Sequence, residues 1–143
     1  MQTTVARVLT DKGAEVISVA PNATVYEALE VMESHNIGAV IVLAGENLVG
    51  ILSERDYARK VVLLDRMSRK TRVSTIMTSE VVTVEPATTM VDCMGIMTER
   101  KIRHLPVDVE GTIVGVISIG DVVKAIIAQQ RSLIDQLEQY ITG

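Results

Sequence analysis

Apolar residues along this chain fall into two alternating kinds of segment, short runs of strand length and longer stretches at helical spacing. Residues 16–19 and 81–84 read as short strands, closed by Pro21 and Pro86, which have no N–H to give to a ladder. Thr24 with Glu27, and Thr89 with Asp92, have capping-box spacing, after which Val25, Leu29 and Met32, or Met90, Met94 and Met97, recur at helical period. Two apolar strands follow in each case, over residues 39–43 and 48–52 and again over 105–109 and 113–117. The residues between them, 45–47 and 110–112, are turn formers. A second helix opens at Ser53 or Ser118, and the last one runs to about Ile141 with an apolar stripe of Val122, Val123, Ile126, Ile127, Leu133, Ile134, Leu137 and Ile141. So long a stripe on so small a domain predicts contact with a second chain, the other solution being a stripe folded back on its own domain.

The pattern is a repeat. Displaced by 65, residues 16–57 align with 81–122 without a gap. Pro21 meets Pro86, Gly50 meets Gly115, and Val16, Val19, Thr24, Met32, Ile37, Val42, Val49, Ser53 and Asp56 meet identical residues of the second copy. A shorter echo upstream at a displacement of 68 pairs Val5, Val8, Leu9 and Thr10 with Val73, Ile76, Met77 and Thr78. The first copy therefore carries three extra residues near Lys12 to Ala14. A boundary at 72/73 gives a first repeat with its N-terminal segment (1–72) and a second with its long helix (73–143), and neither is large enough to be robust alone.

Composition narrows the function classes. At 48% hydrophobic and 22% charged, with mean hydropathy +0.31, the chain is expected to be well packed rather than disordered. No apolar run has the roughly 18 residues of a membrane span, and residues 1–9 lack the order of a signal peptide, so a cytoplasmic location is expected. A net charge of −4 argues against a nucleic-acid backbone as partner, and three Tyr with no Phe or Trp offer no stacking platform for bases. The single cysteine, Cys93, reads as core.

Templates for catalysis fail. His35 and His104 stand at non-equivalent positions, and no His, Cys and carboxylate cluster has metal-ligand spacing, so no metal is expected. Ser53, His35 and Asp56 make a triad only on paper, because no G-x-S-x-G marks a nucleophile, and neither a P-loop nor G-x-G-x-x-G is present. What does repeat is a strand that runs through Gly50 to Ser53 and Asp56, matched by Gly115, Ser118 and Asp121. S-x-x-D is a capping box, worth about 1 kcal/mol without any ligand. It also lies where a strand's carboxyl end meets a helix N-terminus, the place where α/β sheets hold ligands and unpaired N–H groups favour phosphate. An ionised Asp there has lone pairs enough for both hydroxyls of a ribose. Arg59 and Lys124, three residues on, are placed either to reach a phosphate or to pair with that Asp.

With these segments, the Pro21 and Pro86 strand ends, Ile37-Gly38-Ala39-Val40, Arg103-His104-Leu105-Pro106-Val107 and Ile76-Met77-Thr78, the chain resembles the tandem cystathionine-β-synthase (CBS) domain pair, or Bateman module, of the freestanding prokaryotic type. The resemblance implies an α/β fold of two β-α-β-β-α repeats packed through their sheets with pseudo-twofold symmetry, a homodimer, and no catalytic role. It implies an adenine nucleotide (AMP first; ADP, ATP or NAD as alternatives, with S-adenosylmethionine also known in the family) in two clefts between the repeats. In the first cleft Asp56 and Ser53 would hold ribose and phosphate, backbone near Ile17, Ser18 and Ala20 would meet the adenine edge, and Gly38, Ala39 and Val40 would form an apolar wall. In the second the same parts fall to Asp121 and Ser118, to Val82, Thr83 and Glu85, and to His104, Leu105 and Pro106. Arg55 faces Gly120 across the repeat, and Arg103 and His104 replace Gly38 and Ala39, so the second cleft gains charge from its other side and the two are expected to differ. The rival reading is a ligand-free dimerisation scaffold whose S-x-x-D segments only cap helices. The regulated partner is not legible in the residues.

Overall fold

The computed structural model describes residues 2–142. They form two compact units. One comprises Val16–Val82 with Gly111–Ile113; the other comprises the chain up to Glu15, Thr83–Glu110 and the chain from Val114 onward.

In the first unit, β1 (Ser18–Val19) runs parallel to β2 (Ala39–Ala44), which pairs antiparallel with β3 (Asn47–Ser53) in the order β1-β2-β3. Helix α2 (Val25–His35) starts at a complete capping box in which Thr24 accepts from the Glu27 N–H and Glu27 accepts from the Thr24 N–H. It ends at Asn36 in the left-handed conformation (φ 53°), which a short polar side chain tolerates. Its apolar face, Val25, Ala28 and Met32, packs with Val40, Val42, Leu52, Val61, Val73 and Ile76 into one core. Past Ser53 the expected second helix is a single α-turn, α3 (Glu54–Tyr57), which widens into a π-helix over Ala58–Val62.

The second repeat follows the same plan with α5 (Met90–Arg100), β4 (His104–Val109), β5 (Thr112–Ser118) and α6 (Ile119–Thr142). Two expectations change here. Residues 81–84 form no strand, only a parallel bridge from Val84 to Val107, with Val84 N–H donating to the Pro106 carbonyl at 3.0 Å. The cause is Pro106. It stands where Ile41 stands in the first repeat, and Ile41 N–H bonds the Ile17 carbonyl at 3.2 Å, a bond proline cannot make. The capping box at Thr89 is half made, since Thr89 accepts from the Asp92 N–H but no reciprocal bond joins it among the described residues. Cys93 is fully buried, and burial, with Asp92 beside it, pushes its thiol up to about 11.

The segments that precede the two repeats are exchanged. α4 (Val73–Ile76) docks on the first repeat, Val73 N–H bonding Ala23, Ser74 N–H bonding Pro21, and Val25 N–H bonding Thr71. α1 (Val5–Lys12) docks on the second through the corresponding bonds, Val5 to Thr88, Ala6 to Pro86, and Met90 to Thr3. Each segment passes over a glycine. A Cβ on Gly50 would stand 2.5 Å from Met77 Sδ, and one on Gly115 would stand 2.8 Å from Leu9 Cδ2. The echo at 68 thus marks two equivalent docking segments, each lying on the repeat that it does not precede.

Helix α6 buries Val122 alone. Beyond it Ile127, Leu133, Ile134, Leu137 and Ile141 are exposed, so the outer half of the stripe is not folded back on its own unit.

Candidate functional site

Each repeat ends its last strand on the serine that caps the next helix. Ser53 is extended (φ −112°, ψ 164°), and its Oγ accepts from the Asp56 N–H at 3.1 Å while its own N–H and Oγ donate to Asp56 Oδ2 at 3.0 and 3.1 Å. Ser118 and Asp121 repeat this at 2.9 and 3.1 Å, with the Asp121 N–H donating to Ser118 Oγ at 3.3 Å. The capping reading of S-x-x-D is therefore met in both copies.

The carboxylates also receive donors from further away. Asp56 is 9% exposed, and its Oδ1 accepts from Thr78 Oγ1 and from Lys60 Nζ, each at 3.2 Å. Lys60 Nζ donates as well to the Ile76 carbonyl at 3.0 Å. Asp121 Oδ2 accepts from Lys12 Nζ at 2.8 Å, and the same ammonium donates to the Val116 carbonyl at 2.7 Å. These lysines do the work expected of Arg59 and Lys124, neither of which forms an ion pair among the described residues. Lys60 was findable, because it lies four residues beyond Asp56 on a helical path. Lys12 and Thr78 arrive from the docking segments, and the only local signal was that Lys12 falls where the first copy has extra residues.

Electrostatics agree with an ionised acceptor at Asp121. Burial would raise the Asp121 carboxyl, but the Lys12 ammonium and the Ser118 donors outweigh it and hold the group below the usual carboxylate range. Burial first, then the Arg103 cation, lowers the His104 imidazole from its ordinary value, with Asp121 pulling the other way and Lys12 adding a smaller push. The lowering favours the neutral ring, so the charge expected from Arg103 and His104 rests on Arg103.

The starts of β2 and β4 sit beside these helix N-termini. Glu54 N–H donates to the Gly38 carbonyl at 3.0 Å and Ile119 N–H to the Arg103 carbonyl at 2.9 Å, while Ala39 pairs with Ser53 in the ladder. The side chains of Val40 and Leu105, expected in the walls, lie in the core (1% and 0% exposed), and Ala39 and Pro106 are buried too. The surface at these strand starts belongs to Gly38, Arg103 and His104. Arg55 and Gly120 lie exposed in the first helical turns after Ser53 and Ser118.

Of the backbone expected at an adenine edge, the Ile17 carbonyl is taken by Ile41, the Ala20 carbonyl by Ala23, and the Glu85 N–H by Thr88 Oγ1. Ser18 and Thr83 are better placed. Both are exposed, β1 is an edge strand, and Val84 makes both of its bonds to β4, so alternation turns the N–H and C=O of Thr83 toward the open side. Val82 is half-buried. His35 bonds Val31 and Ser34 of its own helix, so the paper triad with Ser53 is not assembled. Among the described residues no group of His, Cys, Asp and Glu could hold a metal ion, and no helix is long and apolar enough to cross a membrane.

Two repeats of one small α/β unit, each carrying the same serine-aspartate helix start, define a paired domain, and the chain belongs to the CBS-domain family, a family of regulatory modules, whose model matches residues 5–63 and 73–128. It is similar to the mitochondrial CBS domain-containing protein CBSX3 of Arabidopsis thaliana, at 39% identity over 99% of this chain and 73% of that protein. Among solved structures, a CBS-domain protein of Burkholderia ambifaria provisionally assigned to signal transduction shares 49% identity (TM-score 0.86; 90% of this chain, 96% of that one). A crystal structure of another CBS domain shares 43% (TM-score 0.85; 89% and 99%).

Proposed function

We propose that the chain is a nucleotide-sensing regulatory module in which each repeat binds one adenine nucleotide, AMP first and ADP, ATP or NAD as alternatives, and passes the binding state to a partner protein. The observation that carries this is the Asp at the third position of a helix whose N-terminus closes a strand, held in both repeats by the N–H and hydroxyl of the capping serine. A ribose diol would exchange with the side-chain donors now on the carboxylate, Thr78 and Lys60 in one repeat and Lys12 in the other. The helix N–H groups and nearby cations would take the phosphate, and the open backbone edges at Ser18 and Thr83 would take the adenine. A ligand that binds only the native state raises the melting midpoint in proportion to the logarithm of its concentration. Melts with AMP are expected to rise in this way, and no rise with AMP, ADP, ATP or NAD at millimolar concentration would reject the reading.

The scaffold reading also has an observation in its favour, and the two are compatible. Ile127, Ile134 and Ile141 recur every seven residues along α6 with Leu137 between them, and all are exposed. Laid antiparallel on a second copy about a centre between Asp135 and Gln136, this seam sets Ile134 against Leu137 and brings Arg131 and Glu138, two residues off level, together on the same flank. A parallel pairing would set Glu138 opposite Leu133 and lose both ion pairs. We therefore propose that two copies associate through antiparallel α6 helices. Light scattering should give a dimer for the wild type and a monomer for Ile134→Glu with Leu137→Glu; a monomeric wild type at high micromolar concentration would refute this.

A further inference from the structure

We infer that Lys12 determines the ligand specificity of the second repeat's site, favouring a phosphate-bearing nucleotide over the bare nucleoside. The inference rests on the reading of Asp121 as the ribose acceptor. Three donors converge on Asp121 Oδ2, and two of them, the Ser118 N–H and Oγ, belong to the helix cap. The third is the Lys12 ammonium at 2.8 Å, on a side chain 38% exposed. It is the one donor there that a ribose hydroxyl can replace without undoing the helix start.

The first repeat solves the same problem differently. Its cation, Lys60, comes from the helical turn after Asp56 and contacts Oδ1, while Oδ2 serves the cap. In the second repeat the position equivalent to Lys60 is Ala125, and the cation comes instead from the docking segment, at the end of α1. Both ammonium groups also bond a backbone carbonyl, Ile76 in one case and Val116 in the other, so two unrelated positions provide the same pair of contacts. Lys12 thus lies outside the repeated motif that it serves.

The consequence for selectivity follows from competition. A neutral nucleoside that reaches Asp121 must displace Lys12 and leaves its ammonium with the Val116 carbonyl alone. A nucleotide brings a phosphate to the N-terminus of α6, and a flexible four-carbon stem lets the displaced ammonium follow it. Lys12 therefore opposes adenosine and not AMP.

The test uses the full chain carrying Asp56→Asn, so that only the second site is read, with and without Lys12→Met. Adenosine and AMP are titrated by calorimetry, with melting curves to confirm the fold; Lys12→Gln serves if the methionine variant melts early. Removing an exposed ion pair of this kind should tighten adenosine about five-fold. AMP should bind equally or up to about two-fold more weakly, so the preference for AMP over adenosine collapses by about five- to ten-fold. An unchanged preference, or adenosine bound more weakly, overturns the inference while leaving the nucleotide reading standing. If neither compound binds the wild type at either site, the functional reading itself has failed.

Discussion

Replacing Gly50 with valine is expected to destabilise the chain by about 2–3 kcal/mol, the upper range for overpacking a close contact. The new Cβ would stand 2.5 Å from Met77 Sδ and 3.0 Å from the Thr78 carbonyl. Met77 is flexible enough to swing aside, but the carbonyl belongs to a backbone fixed by two bonds, Ile51 N–H to Thr78 at 3.0 Å and Thr78 N–H to Ile51 at 2.9 Å. Relief of the clash must lift that segment, and with it the Thr78 hydroxyl bond to Asp56. Urea denaturation reads the loss directly, and a change below about 0.5 kcal/mol, ordinary for an innocuous surface substitution, would show that the docking segment does not lie on Gly50 as described.

The second large effect is on binding. Asp56→Asn and Asp121→Asn are each expected to weaken one of two AMP sites by about a hundredfold, because two charge-assisted bonds to a ribose diol are lost and an amide NH₂ faces a hydroxyl where an acceptor stood. The asparagine carbonyl still accepts from the serine N–H, so the helix starts should survive. Asp56→Asn should cost more stability, since that carboxylate is the more buried and also serves Thr78 and Lys60. Stoichiometry measured by equilibrium dialysis should fall from two to one in each variant and to none in the double variant. Two full-strength sites in both single variants would remove these aspartates from the binding account.

Much of the architecture was readable because its signals are local. Thr24 with Glu27 and Ser53 with Asp56 announce helix starts through side chains that bond their own backbone, whatever lies beyond. The hairpin strands followed from apolar runs interrupted by turn residues. What was not readable depends on partners distant in sequence. Pro106 marks a strand start in its own copy, yet its larger effect is on Val82, which loses the donor that Ile41 gives Ile17. The exchange of docking segments was hidden for the same reason. The displacement of 68 showed that residues 5–10 and 73–78 are alike, but no residue within them says which repeat they lie on. Lys12 reaches Asp121 across 109 residues of sequence, and only the folded chain brings them together. The candidate carboxylates were legible; the cations that set their chemistry were only half so, Lys60 by helical spacing and Lys12 not at all.

The central claim is that the two serine-aspartate helix starts are ligand sites and not caps alone. A calorimetric titration of the wild-type chain with AMP tests it most directly. The account predicts saturable binding of two equivalents per chain, unequal in affinity, with both equivalents lost when Asp56 and Asp121 are replaced together. An absence of saturable heat up to millimolar AMP, repeated with ATP and NAD, would contradict it and leave S-x-x-D as a helix cap.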